Sequence, residues 1–125
     1  MPASPVVLAL IPELITCVRV ESGVQRLGGQ LRVVETEEEF LQQLASSPAL
    51  AVFDLGEQWV DIVGLAEACR EARVPVLAFG PHVDLGRQRD AVQAGVDFVY
   101  PRSKFMADPT TCMRGAISSA RAQTT

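Results

Sequence analysis

The feature that most constrains the fold is the segment Leu50-Ala51-Val52-Phe53-Asp54-Leu55-Gly56, a short apolar run that ends in a carboxylate. Such a run is too short for a buried helix and is typical of a strand that is covered on both faces, as in a parallel sheet. Asp54 would then lie at the carboxyl end of that strand, the edge at which ligands bind in open α/β sheets. The alternative is that Asp54 only caps a turn or the next helix, a common use of aspartate.

Length and composition indicate one ordered domain over residues 1–125. Of the 125 residues, 48% are hydrophobic and 21% are charged, as in an ordinary globular domain. Cys17, Cys69 and Cys112 are far apart and the chain has 1 histidine, so we expect reduced thiols and no metal site. The net charge of -4 offers no basic surface for nucleic acid.

No segment of the sequence is suited to a membrane. The longest apolar run, Val6 to Ile11, is far shorter than the ~20 residues that a membrane-spanning helix needs. Met1 to Pro5 carry no basic side chain, unlike the start of a secretory signal. We therefore expect a cytoplasmic protein that binds neither membranes nor nucleic acid.

Strand and helix patterns alternate along the whole chain. The predicted strands are residues 6–10, 31–34, 50–54, 74–79 and 97–100, and a loop is predicted after Pro101. The predicted helices are residues 12–28, 36–45, 60–72, 84–95 and 108–122. Strands that alternate with helices of this length require right-handed crossovers and helices on both faces of a parallel sheet. The prediction is a flavodoxin-like doubly wound three-layer α/β sandwich with a five-stranded parallel sheet in the order 2-1-3-4-5 and five helices.

Apolar side chains at helical spacing predict the buried faces of the first three helices. The predicted inward residues are Cys17, Val20, Val24 and Leu27 in the first helix, Phe40, Leu41 and Leu44 in the second, and Ile62, Leu65, Ala66 and Cys69 in the third. Leu14, Ile15 and Val18 widen the apolar zone of the first helix. We therefore expect its first turns to bury more than one side.

In this topology the carboxyl ends of strands one, three, four and five converge on one crevice. The residues predicted there are Ile11, Pro12 and Glu13 after strand one, Asp54 and Gly56 after strand three, Gly80, Pro81 and His82 after strand four, and Tyr100 and Pro101 after strand five.

These residues and their order resemble the receiver domain of bacterial two-component response regulators over nearly the whole chain. The segments that carry the resemblance are Ala51-Val52-Phe53-Asp54-Leu55, Val74-Pro75-Val76-Leu77-Ala78 and Ala94-Gly95-Val96-Asp97, the last leading to Pro101. The resemblance implies that Asp54 lies at the position of the aspartate that accepts a phosphoryl group. It also implies a role in signal transduction with a protein partner, such as a histidine kinase or an effector, or as a homodimer.

Around Asp54 the chain departs from the receiver pattern. The acidic pair that binds Mg²⁺ in the family is replaced by Ile11-Pro12, with only Glu13 beside it. The residue with a hydroxyl group that ends strand four is Gly80 here, and the lysine before the proline is Tyr100. Because each missing cation or donor typically costs ~2.7 to 4 kcal/mol of transition-state stabilisation, we expect phosphorylation of Asp54 to be slow or absent.

Because of these departures from the receiver pattern, we expect no resident cofactor. Asp54 and Glu13 could still supply the one or two carboxylates that weak Mg²⁺ binding requires, although a proline in the turn makes the geometry unfavourable. Arg102 and Lys104 lie just beyond the missing lysine. A return of either side chain to the pocket is the less favoured alternative.

Three side chains near this edge have two interpretations each. His82 is either a phosphoacceptor or pH sensor, or, as we favour, an ordinary loop histidine in water. Trp59 is either an interface anchor or a cover over the end of the core. Tyr100 either belongs to the aromatic switch position of the family or, as we favour, fills the space of the missing lysine.

We favour a stand-alone degenerate receiver that is not an enzyme and acts as a phosphorylation-independent interaction module. By resemblance, its partner surface is formed by the fourth helix, fifth strand and last helix, and comprises Arg87, Arg89, Phe98, Arg102, Met113 and Ile117. The alternative is a divergent response regulator that a histidine kinase phosphorylates at Asp54. A third option, a flavodoxin-like small-molecule binder or enzyme, is disfavoured because the loops contain no Gly-rich phosphate cradle and no nucleophile paired with a base.

Overall fold

The central strand of the sheet is the segment that ends in Asp54. The computed structural model describes residues 4–56, 61–80 and 85–123. In this part of the chain the strands are β1 (Val6–Leu10), β2 (Gln30–Val34), β3 (Leu50–Asp54), β4 (Val76–Gly80) and β5 (Phe98–Pro101). They are parallel and lie in the order β2-β1-β3-β4-β5, which confirms the predicted flavodoxin-like sheet. All residues of β3 are buried, as expected for a strand covered on both faces.

Helices cover both faces of the sheet. They are α1 (Leu14–Arg26), α2 (Glu37–Leu44), α3 (Ile62–Glu71), α4 (Leu85–Ala94), α5 (Arg102–Ala107) and α6 (Pro109–Gln123). The short helix α5 replaces the loop that was predicted after Pro101, so the described residues form six helices rather than five. Helix α5 is stabilised because Phe105 is fully buried in the core. None of the described helices combines the length and apolar character needed to cross a membrane.

Two apolar cores lie on opposite faces of the sheet because successive side chains of a strand point to opposite faces. One core joins α2, α3 and α4 to the strand residues Leu8, Leu10, Ala51, Phe53 and Ala78. The other joins α1, α5 and α6 to the strand residues Val7, Ala9, Val52, Leu77 and Phe79. The carboxyl edge of the sheet is therefore held between two packed layers.

Side-chain caps define the starts of several helices, among them α2, α3 and α6. Thr36 Oγ1 accepts a hydrogen bond from the backbone N–H of Glu39 at 3.1 Å at the start of α2. Asp61 accepts one from Gly64 N at the start of α3. Asp108 accepts one from Thr111 N at the start of α6. Each cap satisfies a backbone donor that the helix itself leaves unpaired.

The first turns of α1 bury only one side, and the prediction of a wider buried zone is wrong. Leu14 is 75% exposed, Ile15 76% and Val18 62%. Leu41 on α2, predicted to face inward, is also largely exposed. Each helix meets the sheet along one stripe only, so apolar residues outside that stripe face solvent. The inward face predicted for α3 is confirmed.

The cysteines are free thiols, as expected. Burial raises the pKa of Cys69 to about 12, and it also raises the pKa of Cys17 and Cys112. Because the thiolate is the nucleophile, we expect Cys69 to resist iodoacetamide at neutral pH in the native protein and to react after unfolding. Peptide mass spectrometry measures this, and rapid native labelling of Cys69 would contradict its burial.

Candidate functional site

Asp54 lies at the carboxyl end of β3 and its side chain is 1% exposed. Its Oδ1 accepts a hydrogen bond from Gly56 N at 2.9 Å, so Asp54 does cap the turn that follows. In addition, Nη2 of Arg102 lies 2.6 Å from both carboxylate oxygens. The return of Arg102 to the pocket, the less favoured alternative from the sequence, is therefore the arrangement observed. Asp54 and Arg102 form an internal ion pair.

The sheet register explains why Arg102 reaches Asp54. Asp54 pairs with Phe79 across β3 and β4, and paired residues of parallel strands point to the same face. Phe79 belongs to the core under α5 and α6. The Arg102 guanidinium carbon lies 5.1 Å from the centroid of the Phe79 ring, a cation–π contact, and so is held beside the carboxylate.

Helix α5 fixes the direction of Arg102. Phe105 lies three residues after Arg102, so both side chains share one face of the helix. The Phe105 ring stacks on Phe79 with centroids 4.5 Å apart and an interplanar angle of 9°. This stack anchors α5 against β4. The missed signal in the sequence is therefore the pair Arg102 and Phe105 at helical spacing directly after Pro101.

In the turn after β1, the carboxylate of Glu13 caps helix α1. Ile11 is buried, Pro12 is exposed, and the helix begins at Leu14 rather than at the predicted Pro12. Glu13 is the N-cap of α1 and accepts hydrogen bonds from the backbone N–H and the hydroxyl of Thr16. These bonds hold the pKa of Glu13 below its usual value. Glu13 is thus engaged in capping.

Gly80 ends β4 in a position where a side chain has no room. A Cβ added to Gly80 would lie 2.8 Å from Cβ of Leu55. That atom is fixed close to the backbone, so either the β3 or the β4 end would have to shift. The missing hydroxyl group at this position therefore coincides with a packing arrangement that excludes it.

We expect Gly80→Ala to destabilise the protein by about 1–3 kcal/mol because of this overpacking. The measurement is urea unfolding followed by circular dichroism. Gly86→Ala is the control, since nothing lies within 4 Å of a Cβ at that α4 position and alanine favours helix. Equal stability of Gly80→Ala and the unsubstituted protein would contradict the close approach of Leu55.

Tyr100 is half-buried next to the core formed by α1, α5 and α6. It pairs with Phe79 across β4 and β5, so Asp54, Phe79 and Tyr100 lie side by side on one face. Lys104 Nζ lies 5.4 Å from the centroid of the Tyr100 ring. Burial raises the pKa of Tyr100. Lys104 is thus placed over the tyrosine, and Arg102 is the cation at Asp54.

The predicted partner surface needs correction at two positions. Met113 is fully buried and Ile117 is buried, both in the core with α1. Helix α6 packs closely on α1 because Gly23 has no side chain, and this buries the face that was expected to be exposed. Arg102, whose side chain is 37% exposed, also belongs to the Asp54 site. Arg89 is exposed and Phe98 is half-buried. His82, Trp59 and the side chain of Arg87 lie outside the described residues.

A Mg²⁺ ion does not fit the described residues of this edge. The Asp54 oxygens are paired with a guanidinium group, and Glu13 caps α1. Across residues 4–56, 61–80 and 85–123, no group of three or more His, Cys, Asp or Glu side chains could hold a metal ion. These residues thus favour the Arg102 guanidinium group, rather than a metal ion, as the cation at Asp54.

No family model matches the sequence, and no curated protein matches it. Similar solved structures exist, however. A response regulator from Thermotoga maritima gives a TM-score of 0.78 at 19% identity, covering 92% of this chain and 98% of that chain. The signal receiver domain of an HD domain-containing protein from Pseudomonas fluorescens Pf-5 gives 0.83 at 15% identity, covering 98% and 93%.

A third similar structure contains a metal ion at its active site. The receiver domain of the sensor histidine kinase PA1611 from Pseudomonas aeruginosa PAO1 gives a TM-score of 0.77 at 16% identity, covering 93% of this chain and 99% of that chain. That protein has a magnesium ion coordinated in its active site cleft. At these identities the similarity shows the fold, and the fold is that of receiver domains.

Proposed function

We propose that this chain, which has the receiver-domain fold, acts in signal transduction as a protein–protein interaction module that works without phosphorylation of Asp54. The observation that carries the proposal is the ion pair of Asp54 with Arg102, at 2.6 Å to both carboxylate oxygens. A carboxylate that acts as a nucleophile needs a free oxygen directed at the phosphorus atom. Here both oxygens are engaged.

The rest of the site supports the same proposal. Phosphoryl transfer requires positive charge or hydrogen-bond donors at the oxygens of the transferred group. The turn after β1 contributes only Glu13, which caps α1, and Gly80 has no hydroxyl group and no room for one. Lys104 lies over Tyr100. These features together favour signalling through protein contacts alone.

Two exposed regions are candidates for the partner contact. The predicted face retains Arg89 on α4 and the half-buried Phe98 on β5. Helix α1 adds Leu14, Ile15 and Val18, whose spacing places them together on its solvent side. Exposed contiguous apolar side chains are typical of surfaces that bind other proteins. A histidine kinase or an effector protein remains the proposed class of partner.

The alternative, phosphorylation of Asp54, is tested by intact mass spectrometry. The protein is incubated with acetyl phosphate and Mg²⁺, and no gain of ~80 Da, the mass of one phosphoryl group, is expected. The matched control is Asp54→Asn, which retains an oxygen for Gly56 N. A gain of this mass that is absent in Asp54→Asn would replace our proposal with a phosphorylated receiver.

The interaction itself is tested by affinity capture from the source organism with substituted baits. We expect the same partner to be captured by the unsubstituted protein and by Asp54→Asn. Loss of capture with Arg89→Ala would place the contact on the predicted face, and loss with Ile15→Ser would place it on α1. Loss with Asp54→Asn alone would contradict independence from the Asp54 site.

A further inference from the structure

We infer that Arg102 takes the place of a divalent cation at this edge of the sheet and makes the site insensitive to Mg²⁺. This inference goes beyond the proposed function, because it concerns the ion selectivity of the site and holds whichever partner the domain binds. It rests on the contacts of Arg102 with Asp54 and Phe79.

The charge of Asp54 is buried. A carboxylate that is 1% exposed needs compensation for its lost hydration. The Arg102 guanidinium group provides it with Nη2 at 2.6 Å from both oxygens. A divalent cation would need at least one of the same two oxygens. It would also have to approach a positive group that already occupies their open side.

The second step is the anchoring of Arg102. Its guanidinium group lies over the Phe79 ring, and α5 is held to Phe79 through the stacked Phe105. Phe79 and Phe105 are both fully buried. Displacement of Arg102 by a metal ion would therefore break the ion pair and the cation–π contact together. Two contacts thus tie the partly exposed arginine to the packed structure.

The third step concerns Glu13, the other carboxylate at this edge. The positive charge of Arg102 contributes to the lowered pKa of Glu13, after the larger effect of the Thr16 hydrogen bonds. Arg102 thus acts mainly on Asp54, with which it forms the ion pair. Its removal would leave the buried Asp54 carboxylate without a cation, and one or two carboxylates with water suffice for weak Mg²⁺ binding.

The test uses Mn²⁺ as a paramagnetic probe in amide NMR spectra, and Mg²⁺ in thermal unfolding. In the unsubstituted protein we expect no selective broadening at Asp54, Leu55 and Gly56 and no Mg²⁺-dependent rise in Tm. In Arg102→Gln we expect selective broadening there, with binding at least about tenfold tighter because the repelling charge is gone. The gain should disappear in the double variant Arg102→Gln/Asp54→Asn. Arg114→Gln, which removes an exposed arginine on α6, should behave like the unsubstituted protein.

Two results would overturn the inference. One is selective broadening of the Asp54 region in the unsubstituted protein at the same Mn²⁺ concentration as in Arg102→Gln. The other is a folded Arg102→Gln variant that binds no better than the unsubstituted protein. Should Arg102→Gln not fold, Arg102→Met serves instead, because it keeps a long side chain against the Phe79 ring but carries no charge, and it should also bind Mn²⁺ more tightly than the unsubstituted protein does. A folded Arg102→Met variant without a gain would equally contradict the inference.

Discussion

Arg102→Ala is expected to lower the free energy of unfolding by roughly 2–4 kcal/mol, because it leaves the buried Asp54 carboxylate without its charged partner. The Arg102 side chain is 37% exposed, so water can partly replace it, and this keeps the effect below that of a fully buried pair. Urea unfolding followed by circular dichroism measures the change. Arg89→Ala, at an exposed position of α4, should change stability by no more than about 0.5 kcal/mol.

A double-mutant cycle separates the ion pair from other effects of the substitution. Asp54→Asn keeps an oxygen for Gly56 N but removes the charge. If Arg102 acts through Asp54, the combined variant should be more stable than the sum of the single losses predicts, with a coupling of at least about 1 kcal/mol. Strictly additive losses would show that Arg102 stabilises the protein through other contacts.

Phe79→Ala is expected to cost about 3–5 kcal/mol, since it removes a fully buried ring from the core under α5 and α6. The same substitution removes the surface on which Arg102 and Phe105 lie. Phe79→Leu keeps most of the volume and should cost less than about 1.5 kcal/mol, while it still removes the cation–π contact. Urea unfolding of both variants measures the difference.

The matched control for Phe79 lies on the other face of the sheet. Phe40 on α2 contacts Phe53 with ring centroids 5.0 Å apart and is fully buried, but it belongs to the other core. Phe40→Leu should leave the coupling between Arg102 and Asp54 unchanged, and Phe79→Leu should weaken it. If both substitutions weaken it equally, Phe79 has no specific role in holding Arg102.

Much of the fold could be predicted from the sequence because local patterns and topology agree. The buried run that ends at Asp54 has few alternatives to a central parallel strand. The cap at Thr36 and the inward face of α3 follow from short-range spacing. Strands that alternate with helices then restrict the handedness and order of the sheet.

The sequence was less informative where a helix meets another helix. Met113 and Ile117 were assigned to a surface, yet they are buried because Gly23 allows α6 to approach α1 closely. Leu14 and Ile15 were expected to be buried, yet no described element covers that side of α1. Periodicity identifies apolar positions, but the neighbouring element decides which of them are covered.

The position of the Asp54 site could be predicted from the sequence, but the contact of Asp54 with Arg102 could not. The sequence places Asp54, Gly80 and Tyr100 at one edge because parallel strands end together, and the structure brings them there. The contact of Asp54 with Arg102 joins residues 48 positions apart and depends on the short helix α5, which has only six residues. A long side chain has many rotamers, and the packed Phe79 and Phe105 rings favour the one that reaches Asp54.

The closure of the Asp54 site by Arg102 is tested by an amide NMR spectrum before and after addition of Mg²⁺ and beryllofluoride, which mimics an aspartyl phosphate. We expect an unchanged spectrum, because both Asp54 oxygens remain paired with the guanidinium group. Chemical-shift changes confined to Asp54, β4 and β5 would contradict it and would show that the pocket still accepts a phosphoryl group.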